Sequence, residues 1–319
     1  MTEKKVTLKT IADDVGVSIS VVSRVLNNKK KKVPITPATK KRIFESAIKY
    51  GFHTNSNIGI FIPETIMNFD LVHYPFVAGV FSQANKYNYG VFCTEFSDKV
   101  PQEEIPEFLE NRNVLGVIFL GQITPFVADF LEDNMIPYVL ADISGKPEEQ
   151  NCISIDYYGT TLSLLNHLKD NGYREYIFVS NAEGTPSAFE QIEFNCFRQF
   201  LDSNSFSGEI MRYQDKFVDY LKTISQKVES SSSETVFIAE SRLFTVELLK
   251  IFALQNKSIP KDVGLVGNNL LSEYTEPKLI SVKYDFNTIG ETAVNMMHRI
   301  FKNKNQSVEK EIIAGEILK

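Results

Sequence analysis

Cysteine is scarce in this chain, with three residues in 319. Cys93, Cys152 and Cys196 stand far apart, form no CxxC pair and match no zinc spacing. That excludes a disulfide-stapled scaffold and reads as buried, reduced thiols in a cytoplasmic protein. The four histidines, His53, His73, His167 and His298, show no metal-ligand spacing either. No apolar run is long enough to span a bilayer. The N-terminus, MTEKKVTLKT, has lysines but no apolar segment of a signal peptide. No GxGxxG follows the first predicted strand, no P-loop occurs, and nothing pairs two carboxylates as acid and base. These absences argue against an enzyme, and no cofactor or metal is expected.

What is present is enough chain for two or three compact units with their own cores. Hydrophobic residues make up 43% and charged residues 23%, the balance of a globular protein. The net charge of −6 conceals an asymmetry. Residues 1–56 carry 12 Lys/Arg against 4 Asp/Glu, a net of +8, and residues 57–319 carry 22 against 36, a net of −14. A basic head on an acidic body suits a phosphate-binding module joined to a domain that does not touch nucleic acid.

The stretch Thr7 to Asn27, TLKTIADDVGVSISVVSRVLN, accounts for the basic head. Thr7 is a candidate N-cap, and Leu8, Ile11 and Ala12 fall at helical spacing. Gly16 supplies the left-handed conformation that a helix end often needs. Ser18 caps the chain again, and Val21, Val22, Val25 and Leu26 give a second helix its buried side. Two short helices around a glycine turn form the helix-turn-helix pattern, whose second helix reads the DNA major groove with its early residues. Ile19 and Ser20 lie at that exposed end, and Arg24 lies about one turn further on. Arginine can fork onto guanine O6 and N7, whereas isoleucine can only touch a thymine methyl or exclude a base. The run Lys29 to Lys32 follows, where Lys30 and Lys31 can neutralise phosphates. Thr36-Pro37 opens a third helix with a capping threonine and proline at the first position, and Ile43, Ala47 and Ile48 face the first two.

From Asn57 onward, apolar strands alternate with helices. Predicted strands are NIGIFIP (57–63), 90–93, 115–121, 137–142, 176–180, 236–239 and 263–267, with helices at 71–89, 125–133 and 161–171. Continuous apolar strands separated by helices argue for parallel sheets covered on both faces. The C-terminal EKEIIAGEILK reads as one final strand. It has no leucine heptads and so no coiled-coil tail.

TIADDVGVS followed by VSRVLN resembles the N-terminal signature of the lac repressor/galactose repressor family of bacterial transcription regulators. Three later stretches resemble that family's sugar-binding core: GYREYIFVS (172–180), IPKDVGLVGNN (259–269) and EPKLISVKYDFNTIGETAV (276–294). The resemblance implies an all-α helix-turn-helix head over residues 1–56 and a ligand-binding and dimerisation core over 57–319. That core would be two α/β lobes with parallel sheets, similar to periplasmic sugar-binding proteins. The lobes would span about 57–157 with 285–303, and 158–284 with 304–319, joined by three crossovers. By the same resemblance Ile19 and Ser20 choose the operator and Arg24 is the constant arginine. Thr7, Ser18, Ser23 and Asn27 hold the phosphate backbone. Val21 stands where the family usually has threonine.

The family's hinge helix, about a dozen residues that enter the minor groove, is missing. Here Asn55 is followed almost at once by the first strand. The ligand positions that the resemblance implies are His73, Tyr158, Gln191, Ser241 and Asn269. Gln191 stands in place of an arginine, Glu240-Ser241 in place of Ser-Asp, and Asn269 in place of aspartate. The function implied is a homodimeric, cytoplasmic, operator-binding repressor of carbohydrate utilisation with a sugar-like effector. The alternative is a ligand sensor whose DNA head is degenerate and which acts through protein contacts.

Overall fold

A computed structural model describes residues 6–26, 35–50, 57–63, 73–96, 109, 112, 114–134, 136–143, 150–180, 187–213, 216–272, 274–302 and 307–319. Three helices form the head: α1 (Leu8–Val15), α2 (Ile19–Leu26) and α3 (Pro37–Lys49). Their apolar faces meet in one cluster of Ile11, Ala12, Val15, Val22, Val25, Leu26, Ile43 and Ala47. Gly16 takes φ 75°, ψ 37°, and its N–H donates to the Ala12 carbonyl at 2.9 Å, which ends α1 and turns the chain into α2. The side chain of Ile48, expected to join this cluster, lies outside the described residues.

The rest of the chain divides into two α/β sheets, and the head clusters with the first. The chain splits into one unit of Met1–Ser154 with Asp285–Ile313, and a second of Ile155–Tyr284 with Ala314–Lys319. In the first, β1 (Asn57–Pro63), α4 (Tyr74–Lys86), β2 (Gly90–Phe96), β3 (Val114–Leu120), α5 (Pro125–Asp133), β4 (Tyr138–Ile143) and β5 (Cys152–Ile155) follow in sequence. The long helix α11 (Phe286–Lys302) and β11 (Lys310–Ile313) complete it. The strand order is β11-β5-β4-β3-β1-β2, and the pairs β1–β2, β1–β3, β3–β4 and β4–β5 are parallel. Six of the seven residues of β1 are buried, as a strand covered on both faces requires.

The second unit runs α6 (Tyr157–Asp170), β6 (Glu175–Ser180), α7 (Ala188–Asn204), β7 (Ser207–Arg212), α8 (Phe217–Glu229), β8 (Thr235–Ala239) and α9 (Arg242–Leu254). It continues through β9 (Gly264–Asn268), the one-turn α10 (Asn269–Ser272), β10 (Ile280–Lys283) and β12 (Glu316–Leu318). The order is β12-β10-β9-β8-β6-β7, parallel apart from the antiparallel β10–β12 pair. Successive residues enter opposite cores: Tyr176, Phe178, Val236 and Ile238 pack on one face, and Ile177, Val179, Phe237 and Ala239 on the other.

The C-terminal stretch is a correction to the single final strand expected. It forms two short strands, β11 in one sheet and β12 in the other. Ala314-Gly315 separates them, and the Gly315 N–H donates to Thr160 Oγ1 at 2.9 Å. A Cβ at Gly315 would meet Thr160 Cγ2 and the Tyr284 ring, both at 2.7 Å, so the break needs glycine. Among the described residues no helix is long and apolar enough to cross a membrane.

Candidate nucleic-acid interface and effector site

The head displays the N-terminal end of α2. Ser18 precedes the helix, and its Oγ accepts the Val21 N–H at 3.3 Å while lying 2.9 Å from Ser20 Oγ. Ser18, Ile19 and Ser20 are exposed, Ile19 at 47%. Burying Val22, Val25 and Leu26 leaves these three residues no inward role. Val21, Ser23 and Arg24 are half-buried, and Thr7 is exposed at the start of α1. The Thr7 N–H donates to Thr10 Oγ1 at 3.3 Å. Asn27, Lys30 and Lys31 lie outside the described residues, as do residues 51–56 that lead into the first strand.

A polar clamp fixes α3 to α1. Arg42 donates to the Val15 carbonyl at 2.6 Å, and Asp14 Oδ1 accepts from Lys49 at 2.7 Å and from the Tyr50 hydroxyl at 2.9 Å. The bond from Lys49, then those from Ser46 and Tyr50, hold the Asp14 carboxyl down at about 2.

Ligands of parallel sheets bind at the carboxyl ends of the strands. At that edge of the first sheet, His73 precedes α4 and sets its Nε2 3.3 Å from Asp142 Oδ2. Its ring meets the edge of Phe286 with centroids 4.5 Å apart. Asp142 sits at the end of β4 with φ 54°, a left-handed conformation that costs a non-glycine residue free energy and that clusters at binding sites.

At the corresponding edge of the second sheet, Gln191 is exposed in the first turn of α7 and Ser241 caps α9, its Oγ accepting the Phe244 N–H at 3.3 Å. Asn269 begins α10 directly after β9, and its side chain lies outside the described residues. Tyr158 is not brought to this group. Its hydroxyl donates to Gln199 Oε1 at 2.9 Å, two turns beyond Gln191 along α7. The neighbouring Tyr157 is buried instead, stacked on Phe189 at 5.5 Å and set against Tyr284 at 5.2 Å.

Carboxylates crowd the same edge. Glu190 is buried, and its Oε2 accepts both the N–H and the hydroxyl of Ser187 at 2.6 and 2.5 Å. Asp156 caps α6 by accepting the Gly159 N–H at 2.9 Å. Burial, reinforced by the charges of Glu240 and Glu190, pushes the Glu193 carboxyl up to about 8, and a hydrogen bond with Thr161 opposes that only in part. Sequence reasoning singles out Glu240 beside Ser241 but neither Glu190 nor Glu193. The i, i+3 spacing in FEQIEF, which puts them on one helix face, is the signal that could have found them. A separate shallow cavity of about 600 Å³ lies along β7 and α8, lined by Met211, Arg212, Lys216 and Tyr220 among others, and none of the candidate ligand residues lines it.

Comparison with known proteins agrees with this geometry. Residues 7–55 match the family described as bacterial regulatory proteins, lacI family, and residues 165–318 match a periplasmic binding protein-like domain. Catabolite control protein A of Priestia megaterium is 22% identical over a 333-residue alignment that covers 97% of this chain and 96% of that protein. The HTH-type transcriptional regulator RegA of Clostridium acetobutylicum is 26% identical over 317 residues, covering 92% of each. Among solved structures, the transcriptional regulator CelR–cellobiose complex superposes with a TM-score of 0.67 at 17% identity, covering 99% of both chains. The lac repressor dimer bound to operator and the anti-inducer ONPF gives 0.66 at 17% identity, covering 99% of this chain and 98% of that one. A helix-turn-helix head with an exposed reading edge, two mostly parallel α/β sheets and relatives matched along nearly their whole length lead to one conclusion: the chain carries the head of the lacI family of bacterial regulatory proteins, followed by a periplasmic binding protein-like domain.

Proposed function

We propose that this protein is a cytoplasmic, homodimeric repressor of a carbohydrate-utilisation operon, binding operator DNA through its head and responding to a small sugar-like effector. The observation that carries the reading is the exposed edge of α2, where Ser18, Ile19 and Ser20 face solvent on a helix whose other side is buried. Ile19 and Ser20 read bases with Arg24. Thr7, Ser18, Ser23 and Asn27 hold the phosphates, and Lys30 and Lys31 add sequence-blind attraction. Residues 1–56 serve as the DNA-binding domain with its linker, and 57–319 as the ligand-binding and dimerisation core. Two heads on one dimer match two half-sites of a palindrome.

His73, Gln191, Ser241 and Asn269 are the effector contacts in this reading, with Tyr158 the weakest of the five candidates because its hydroxyl is already held by Gln199. The carboxylates Glu190 and Glu240 oppose a phosphorylated ligand and suit one that donates hydrogen bonds, as a neutral sugar does, while the protonated Glu193 adds no charge.

The test is binding of the purified protein to its own upstream DNA against scrambled DNA across a salt series. Sequence-specific binding is expected. Replacing Lys30 and Lys31 by alanine should flatten the salt slope by about 0.9 for each phosphate that is no longer neutralised. Weak, sequence-blind binding would instead favour a ligand sensor with a degenerate head.

A further inference from the structure

The geometry points to α11 as a direct route by which effector state reaches the DNA-binding head, in place of a hinge helix. This rests on the reading of the chain as an effector-controlled DNA-binding regulator. The packing of α11 gives its direction. At its first residue, Phe286 lies against His73, which reaches Asp142 at the carboxyl end of β4. Toward its other end, Met297 and Phe301 press on Gly116 near the start of β3, where a Cβ would meet Met297 Sδ at 2.6 Å and the Phe301 ring at 3.0 Å. Phe301 also meets Tyr89, just before β2, with ring centroids 5.8 Å apart.

The helix therefore runs antiparallel to the strands, from the carboxyl to the amino edge of the sheet, a length of about 25 Å. The amino edge is where β1 begins at Asn57, paired with Gly90 and Val114, and the head is the chain before it. The head's own α3 packs beside α11.

A relay must move as a body. α11 is locked to α4 where their backbones touch: a Cβ at Gly79 would meet the Asn287 carbonyl oxygen at 2.1 Å, and one at Gly290 the Phe76 carbonyl oxygen at 2.2 Å. Further along, Asn295 Oδ1 accepts from Gln83 at 2.5 Å and from Tyr87 at 2.8 Å, and Tyr87 stacks on His298 at 3.8 Å. Close-packed helices transmit displacement because they have no slack to absorb it. A ligand that shifts His73 or Asp142 thus shifts α11, and with it the surface on which α3 rests.

Coupling between two sites is reciprocal, so DNA alone must be felt at the effector end. The experiment is amide hydrogen exchange of the full chain with duplex from its own upstream region, with scrambled duplex, and without DNA. Specific duplex is expected to slow exchange by about twofold or more along residues 286–302 and at 138–143. In Phe286→Leu, which keeps an apolar side chain but removes the ring edge on His73, the change at 138–143 is expected to be lost while that at 295–302 remains. Sequence-specific binding with changes confined to residues 6–50 overturns the relay alone. An unaltered signal at 138–143 in Phe286→Leu overturns it too. Absence of sequence-specific binding in the parallel binding curve overturns the DNA-binding reading, and the relay with it.

Discussion

The head and the second α/β unit are built to different standards of burial. Among the described residues, the head's apolar cluster holds eight buried side chains, all isoleucine, valine, leucine or alanine. The second unit packs fifteen on one face of its sheet and fourteen on the other, with Tyr176, Phe197, Phe237, Phe244 and Phe252 almost fully enclosed. Each large aromatic removes far more surface from water than an aliphatic side chain does. A small head whose described residues seal no aromatic in the core is therefore the less stable part, and it is also the part that carries the positive charge. The difference separates two tasks. The sheets supply a rigid frame, whereas the head gains stability when DNA binds it, because a ligand of the native state shifts the folding equilibrium.

The largest expected effect breaks this comparison directly. Ile11→Ala removes a central side chain of the head at a cost of about 2–5 kcal/mol, a large share of what so small a unit has. Specific DNA binding should vanish while the main calorimetric transition of the sheets stays within about 1 °C. Phe237→Ala, at a cost of about 3–5 kcal/mol, should lower that main transition and leave the head's cold-temperature DNA binding intact. Next, Arg24→Ala should leave the head folded but reduce the preference for upstream over scrambled DNA by about 1–3 kcal/mol, from about fivefold to over a hundredfold in a competition assay.

A smaller effect sharpens the contrast between the regions through pH. Glu193 keeps its proton up to about 8 in the folded chain and only up to its ordinary 4.5 when unfolded. Across that window the native state binds more protons, so stability falls as pH rises from 4.5 to 8. Glu193→Gln should remove this dependence and raise the melting temperature at high pH by roughly 2–4 °C for each kcal/mol recovered.

The smallest effect has the opposite sign. Asp14 is held down at about 2, so its contribution to the head is complete above 3.8 and is lost as pH falls through 2. Asp14→Asn should weaken the head slightly at neutral pH and not at the acid end of that window, as read by circular dichroism of the head's helices. The pair is exposed, and the effect should stay below about 1 kcal/mol.

Much of this fold is legible because burial on two faces writes itself as unbroken apolar runs. NIGIFIP, VLGVIFL and TVFIA form β1, β3 and β8 for that reason. The strand β7, SGEIMR, sits at a sheet edge and is mostly exposed, so it carries no such run and the sequence does not announce it. The C-terminal stretch reads as one strand because isoleucines and a leucine recur on both sides of Ala314-Gly315. Local pattern cannot show that Gly315 hands the chain to a different sheet. In the head, the glycine turn and the valine spacing carry the pairing of α1 with α2, whose contacts are local, whereas the clamp from Arg42, Lys49 and Tyr50 onto α1 is not written in any local pattern. The effector edge is the least legible part. Glu193 is unusual first through its burial and then through the charge of Glu240, which lies far from it in sequence and near it in space.

The interleaved path of the chain has a consequence for its synthesis. The first sheet holds β5 next to β11, and nearly half the protein, including the whole second sheet except β12, is translated between the two. At roughly 10 residues per second, β5 waits on the ribosome for about 15 s with an open edge before its neighbour exists. An unpaired parallel edge of CISI, with every residue apolar or small, is a template for any other strand. The nascent chain is therefore most exposed to mispairing during those seconds, when the DNA-binding head is already complete and the second sheet is still emerging.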